Sequence, residues 1–273
     1  MLDLDASREE VPPRHAATLV IVRDRGPGME VFCVERHKKS AFLGGAIVFP
    51  GGKLDDQDAD SAWDALLGPA ADALSRSLMI AACRESLEEA AIFPVRGPLT
   101  HEELVELRSL VKIQPLFNLL AARGLVPDLR ALHPFARWVT PVAENRRFDT
   151  RFFMTVAPHG QPGAHDDDET TSSFWARPTE ILARFDRHEV QLAPPTHRML
   201  EVLATAQSSR DAVLSCASAN LDPICPRLVR QEDTLALVLP GDPEHDVHDV
   251  RVSGTSRFVL RGERWLPENP KGP

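Results

Sequence analysis

The chain has 273 residues, a formal net charge of −9, 43% hydrophobic and 26% charged residues. That balance fits a globular protein able to bury a core, and its acidic sign argues against a general nucleic-acid binder, which carries a basic footprint. No run approaches the roughly 20 apolar residues of a membrane span, and four cysteines without Cys-x-x-Cys spacing suit a reducing compartment. Met1 to Glu10 is acidic and reads as no signal peptide, and Pro270–Pro273 is no peroxisomal tripeptide. A cytoplasmic protein is expected.

In chain order, Ala17–Arg23 and Met29–Glu35 are apolar β-like runs around the turn residues 24–28, which predicts a hairpin. Ala46–Phe49 reads as a short strand entering Phe49-Pro50-Gly51-Gly52. Residues 62–67 form at most a helical turn, stopped by Gly68-Pro69. A longer helix is expected over Ser77–Ala91. Thr100-x-x-Glu103 is a capping box opening a helix through Val111, and Pro115–Arg123 predicts another; together, 98–125 should form a lid or side wall. Ala136–Thr140 and Arg151–Val156 return to strand patterns. Residues 158–173 read as a polar loop, followed by helices over Pro178–Phe185 and Pro195–Ala206. Beyond 210 come short β-like pieces at Thr234–Leu239, Val247–Val252 and Arg257–Leu260. His245 and His248 have ligand-like spacing, but without a third ligand they read as a charged exposed loop.

The most informative segment is Arg84-Glu85-Ser86-Leu87-Glu88-Glu89. On a helix the offsets i, i+3 and i+4 bring Glu85, Glu88 and Glu89 within about 5–6 Å at Cβ, a repulsive arrangement that Arg84 alone cannot neutralise. Ile80, Cys83, Leu87 and Ala90 repeat every three to four residues and predict a buried opposite face. Hard divalent cations bind carboxylate oxygens and balance such charge, whereas a plain Glu-Glu pair is more commonly a solvated face. The glycines at 51 and 52 let backbone approach a ligand or ion closely. The net charge does not exclude an anionic ligand, whose counter-charges would be Arg36-His37-Lys38-Lys39 and Arg146-Arg147 with Arg151, though clusters of this size are more often solvated surface.

This spacing resembles the Nudix box, Gly-x5-Glu-x7-Arg-Glu-U-x-Glu-Glu-x-Gly-U with U a bulky aliphatic residue. Gly52, Arg84, Glu85, Glu88, Glu89 and Ile92 match. Asp58 replaces the first Glu, 25 residues lie between Asp58 and Arg84, Ser86 replaces the aliphatic residue and Ala91 the glycine. Ala91 is accordingly expected in a right-handed or extended conformation. An insertion at this point is similar to the coenzyme A diphosphatase-like subgroup, as are the spacing from Arg36 to Gly52, Trp138-Val139-Thr140-Pro141, Arg147-Phe148-Asp149-Thr150 and Leu192-Ala193-Pro194-Pro195. His37 and Ala41 depart from that subgroup's signature.

The resemblance implies a Nudix-type α/β/α sandwich around a mixed sheet. An N-terminal tail (1–15) would precede a catalytic domain over 16–208, with insertions at about 59–76 and 98–125, and a β extension over 209–273 packed on the core. It implies Mg2+ or Mn2+ held by Glu85, Glu88, Glu89 and the Gly52 carbonyl, with Arg84 orienting the carboxylates and Glu169 as general base or further ligand. Arg36, Phe49, Gly51 and Arg147 would bind a small nucleoside diphosphate derivative; no nucleic acid or membrane partner is expected, and a homodimer is left open. The implied reaction cleaves coenzyme A or acyl-coenzyme A to 4′-phosphopantetheine, or its acyl form, and adenosine 3′,5′-bisphosphate. Hydrolysis of ADP-ribose or NADH, or a Nudix fold that binds without catalysis, are the alternatives the departures leave open.

Overall fold

The computed structural model describes residues 10–37, 45–166, 170–231 and 234–270. A long hairpin, β1 (Arg14–Arg25) and β2 (Gly28–Arg36), is followed by the short strands β3 (Ala46–Val48) and β4 (Gly51–Lys53). Helices α1 (Trp63–Leu67) and α2 (Ala73–Ala90) come next, then β5 (Val95–Arg96), α3 (His101–Val111), α4 (Leu116–Arg123) and β6 (Val126–Pro127). The sheet resumes with β7 (His133–Val139), β8 (Phe148–Val156) and β9 (Thr170–Ala176), then α5 (Pro178–Asp186), β10 (Gln191–Leu192), α6 (Pro194–Leu203) and α7 (Ser209–Ser215). A second sheet, β11 (Arg227–Gln231), β12 (Thr234–Val238), β13 (Arg257–Arg261) and β14 (Arg264–Glu268), ends the chain.

The main sheet is mixed, in the order β10-β3-β2-β1-β8-β7, with β4 also on β1 and β9 also on β2. Strand β1 lies antiparallel to β2 and parallel to β8. Its alternation divides the core, because successive side chains point to opposite faces. Ala17, Leu19 and Ile21 join Leu78, Ala82 and Leu87 of α2 with Leu104 and Leu119 of α3 and α4. Val20 and Val22 join Ile181, Leu200, Leu237, Phe258 and Trp265 on the other side. Helices on one face, and helices plus the C-terminal sheet on the other, make the expected sandwich. The segment 98–125 is a side wall of the first layer, and none of its residues lines the cleft described below.

Three sequence expectations are corrected. Thr170 to Ser173 are not loop but the start of β9, paired with β2 from Thr170 opposite Arg36. Val247–Val252 forms no strand: the Val247 carbonyl accepts from Gly241 N–H inside the same loop and Val250 is exposed, while Val252 alone packs against the second core. His245 is buried, receives Val247 N–H at Nδ1 and sits 3.0 Å from the Cys225 carbonyl, while His248 is exposed.

Ala91 is a further correction. It is left-handed, with φ 48° and ψ 40°, a conformation costing L-residues roughly 1–2 kcal/mol. Packing overrides that cost, because Ile92 and Phe93 must turn directly into the core, where both are fully buried. Ser86 holds the reversal from both sides: its carbonyl accepts from Ile92 N–H at 3.3 Å, and its Oγ donates to the Ile92 carbonyl at 2.8 Å. The two departures in the box therefore belong to one turn.

Candidate active site

Helix α2 starts at Asp72, whose carboxylate accepts from Ser75 N–H, an N-cap worth typically about 1 kcal/mol. Its apolar face is buried as the periodicity requires, with Ile80, Cys83, Leu87 and Ala90 at most 1% exposed. The opposite face meets the start of β4. There Gly51 N–H donates to Glu89 Oε2 at 3.0 Å. A Cβ on Gly52 would lie 2.5 Å from the Glu85 carboxyl carbon, and one on Gly51 2.5 Å from the Ala17 carbonyl oxygen. Only glycine lets this backbone pass so close to the carboxylates.

Arg84 is the hub. Its Nε and Nη2 each donate to Asp58 at 2.9 Å, Nη2 donates to the Lys53 carbonyl at 3.0 Å, and Nη1 donates to Glu85 at 2.9 Å and to Glu88 at 3.4 Å. Asp58 sits in a short turn closed by Asp55 N–H, and Trp63 of the insertion is buried with its indole N–H on the Gln57 carbonyl. The insertion thus loops out and returns Asp58 to Arg84 although 25 residues lie between them. Burial works against charge on Arg84, but the Asp58 hydrogen bonds and neighbouring carboxylates outweigh it and push its pKa up.

The carboxylates remain in excess. Asp58, Glu85, Glu88 and Glu89 face Arg84 and, at 3.9 Å from Glu89, Arg36. Burial pushes the Glu85 carboxyl up to about 7, Arg84 opposing and Glu88 adding to the shift, and burial likewise raises Glu88. Among the described residues no three carboxylates, imidazoles or thiols converge as a finished cage; Glu85 and Glu88 close on Arg84 while Glu89 turns to Gly51. The donor set nevertheless fits a hard divalent cation: oxygen ligands, surplus negative charge, and a carboxylate whose ionisation lacks compensation.

A cleft of about 420 Å³ opens from this cluster, within the range of ligand pockets. Its charged lining residues are Arg36, Lys53, Glu85, Glu89 and Arg146, and Phe49, Gly51 and Gly52 also line it. Its floor comes from alternate residues of β1 and β8, and its far walls from Trp138, the Ala193–Thr196 start of α6, Pro226 and Leu237. Glu88 stays on Arg84 outside the lining. Arg147 is also outside: its guanidinium donates to Glu10, to the Val11 carbonyl and to the Thr140 carbonyl, leaving it 4% exposed. Its neighbour Arg146, seen in sequence only as counter-charge, is the arginine in the wall. Lys53, Pro226 and Leu237 carried no local signal. Glu169, like Lys38, Lys39 and Ala41, lies outside the described residues, as do Asp167 and Asp168.

Residues 73–203 match a family model described as the NUDT19 Nudix domain. Acyl-coenzyme A diphosphatase NUDT19 of Gallus gallus is 28% identical over 88% of this chain and 78% of its own. The Homo sapiens protein of the same name is 27% identical over 79% and 72%. The crystal structure of a NUDIX hydrolase from Alicyclobacillus acidocaldarius aligns with a TM-score of 0.64 and 32% identity, covering 74% of this chain and 96% of that one. No helix among the described residues is long and apolar enough to cross a membrane.

Proposed function

The chain belongs to the Nudix hydrolase family, and from that premise we propose that it hydrolyses the diphosphate of coenzyme A or acyl-coenzyme A, releasing 4′-phosphopantetheine, or its acyl form, and adenosine 3′,5′-bisphosphate. The observation that carries this reading is the cleft itself, which is lined by charged side chains beside the glutamate cluster and largely by apolar walls elsewhere. Coenzyme A has the same division, a diphosphate with a phosphorylated nucleoside on one side and a neutral arm on the other. The similarity to the two acyl-coenzyme A diphosphatases supports it.

Glu85, Glu88 and Glu89, with the Gly52 carbonyl, would hold a divalent cation, Mg2+ or Mn2+. Such an ion supplies positive charge opposite the diphosphate oxygens and lowers the pKa of water in its reach. Arg84 keeps two of the carboxylates oriented through charge-assisted hydrogen bonds, and Gly51 N–H orients the third. Arg36, Lys53 and Arg146 bring positive charge to the anionic ligand, Arg36 and Arg146 through planar forks suited to phosphate. Glu169 is the proposed general base; the described chain resumes at Thr170, paired with Arg36 beside Glu89. The deciding experiment assays the purified protein, with Mg2+ and with Mn2+, against coenzyme A, acyl-coenzyme A, ADP-ribose and NADH. A tenfold or greater preference for ADP-ribose or NADH would overturn the assignment.

A further inference from the structure

The cleft crosses the main sheet from β4 over β1 and β8 to β7. Gly51 is opposite Thr18, Thr18 opposite Phe152, Ala16 opposite Thr150, and Thr150 opposite Trp138. Three inter-strand steps separate the glycine turn under the glutamates from Trp138, roughly 14 Å. In coenzyme A the arm from the diphosphate to sulfur has about twelve bonds, the backbone of about four extended residues, so it too spans roughly 14 Å. A diphosphate beside Glu85 and Glu89 therefore delivers the sulfur to the neighbourhood of Trp138.

Part of what surrounds Trp138 comes from beyond the family-matched segment. Ile224 bridges to it, exchanging backbone hydrogen bonds with Arg137 and Val139, and this seats the chain at 224–226 against the edge of β7. Pro226, and Leu237 on β12, then close the cleft. Both are buried and neither offers a polar side chain. Trp138 itself is 3% exposed and its indole nitrogen is sealed from solvent, so it offers the cleft ring surface and no donor.

We propose that the C-terminal sheet is the acyl-selecting element of this enzyme, with Leu237 and Pro226 bounding the acyl chain beside the Trp138 ring. This rests on the coenzyme A reading above. The 3′-phosphate of the nucleoside half belongs at the opposite end, where Arg36 and Lys53 stand.

The test measures kcat/KM for straight-chain acyl-coenzyme A thioesters from acetyl to palmitoyl, each divided by that for free coenzyme A, in the intact chain. Leu237→Ala lengthens the bounded end and should raise the ratio for the longest thioesters relative to the shortest by about tenfold, the scale of one or two methylenes in an apolar pocket. Parallel length profiles in wild type and variant overturn the proposal. Should Leu237→Ala fail to fold, Leu237→Val decides: it removes one methylene and should shift the same ratio in the same direction by about fourfold. An unchanged length profile in that variant overturns the proposal. Wild-type protein that hydrolyses no coenzyme A species removes the functional reading itself, an outcome distinct from hydrolysis without length selection.

Discussion

Gly52→Ala separates activity from folding. Gly52 lies in the extended strand β4 at a backbone conformation open to alanine, as no positive φ occurs there. The three atoms nearest the new methyl all belong to the Glu85 carboxyl group, with Cδ, Oε1 and Oε2 at 2.5–2.6 Å. Ordinary carbon contacts need about 3.5 Å, so the carboxylate must retreat by roughly 1 Å. Being the end of a flexible side chain it can do so, and the fold should lose no more than about 1 kcal/mol. Catalysis is less forgiving, since a misplacement of about 1 Å costs on the order of 10²-fold in rate. Gly51→Ala is the control of opposite sign. Its methyl would meet the Ala17 carbonyl oxygen at 2.5 Å and the Thr18 Cα at 2.7 Å, backbone atoms that cannot swing aside, so stability should fall by about 1–3 kcal/mol or more. Product release by chromatography and urea unfolding measure the two quantities. A Gly52→Ala protein with wild-type kcat would show that the Glu85 carboxylate does not act from where it sits.

Glu88→Gln or Glu89→Gln should lower kcat by on the order of 10²–10⁴, and full activity in excess EDTA would refute the cation; Glu169→Gln with unaltered kcat beside a dead Glu89→Gln would place the base elsewhere. Glu85 has a folded pKa of about 7 against an ordinary 4.5, so its neutral form is favoured by folding. The cation-free protein should lose up to about 3 kcal/mol of stability as pH rises from about 4.5 through 7; a divalent cation or Glu85→Gln should flatten that slope, and equal slopes in denaturant titrations would contradict it. Ser86→Ala leaves the buried Ile92 carbonyl short of a donor and should cost about 1–3 kcal/mol in urea unfolding. Arg146→Ala should raise KM for coenzyme A, whereas Arg147→Ala should chiefly lower the melting temperature; the reverse pattern would mean that Arg147 leaves its internal partners to meet the ligand.

The sequence by itself determined whatever depends on local periodicity or local chemistry. The spacing of Glu85, Glu88 and Glu89 put them on one helical face, the apolar repeat from Ile80 to Ala90 predicted the buried side, and Thr100 with Glu103 marked the start of α3. Even so, α2 begins at Ala73, four residues ahead of the expected Ser77, because its cap is Asp72. Tertiary structure decided the rest, because those outcomes depend on partners far along the chain. Asp58 reaches Arg84 across 25 intervening residues. Of two adjacent arginines, Arg147 is captured by Glu10 and the Val11 and Thr140 carbonyls, leaving Arg146 to the cleft. Ala91 accepts a strained turn because Ile92 and Phe93 gain burial by it. Leu237 becomes a wall of the cleft only when a second sheet packs against the first, a contact between residues that no local pattern relates.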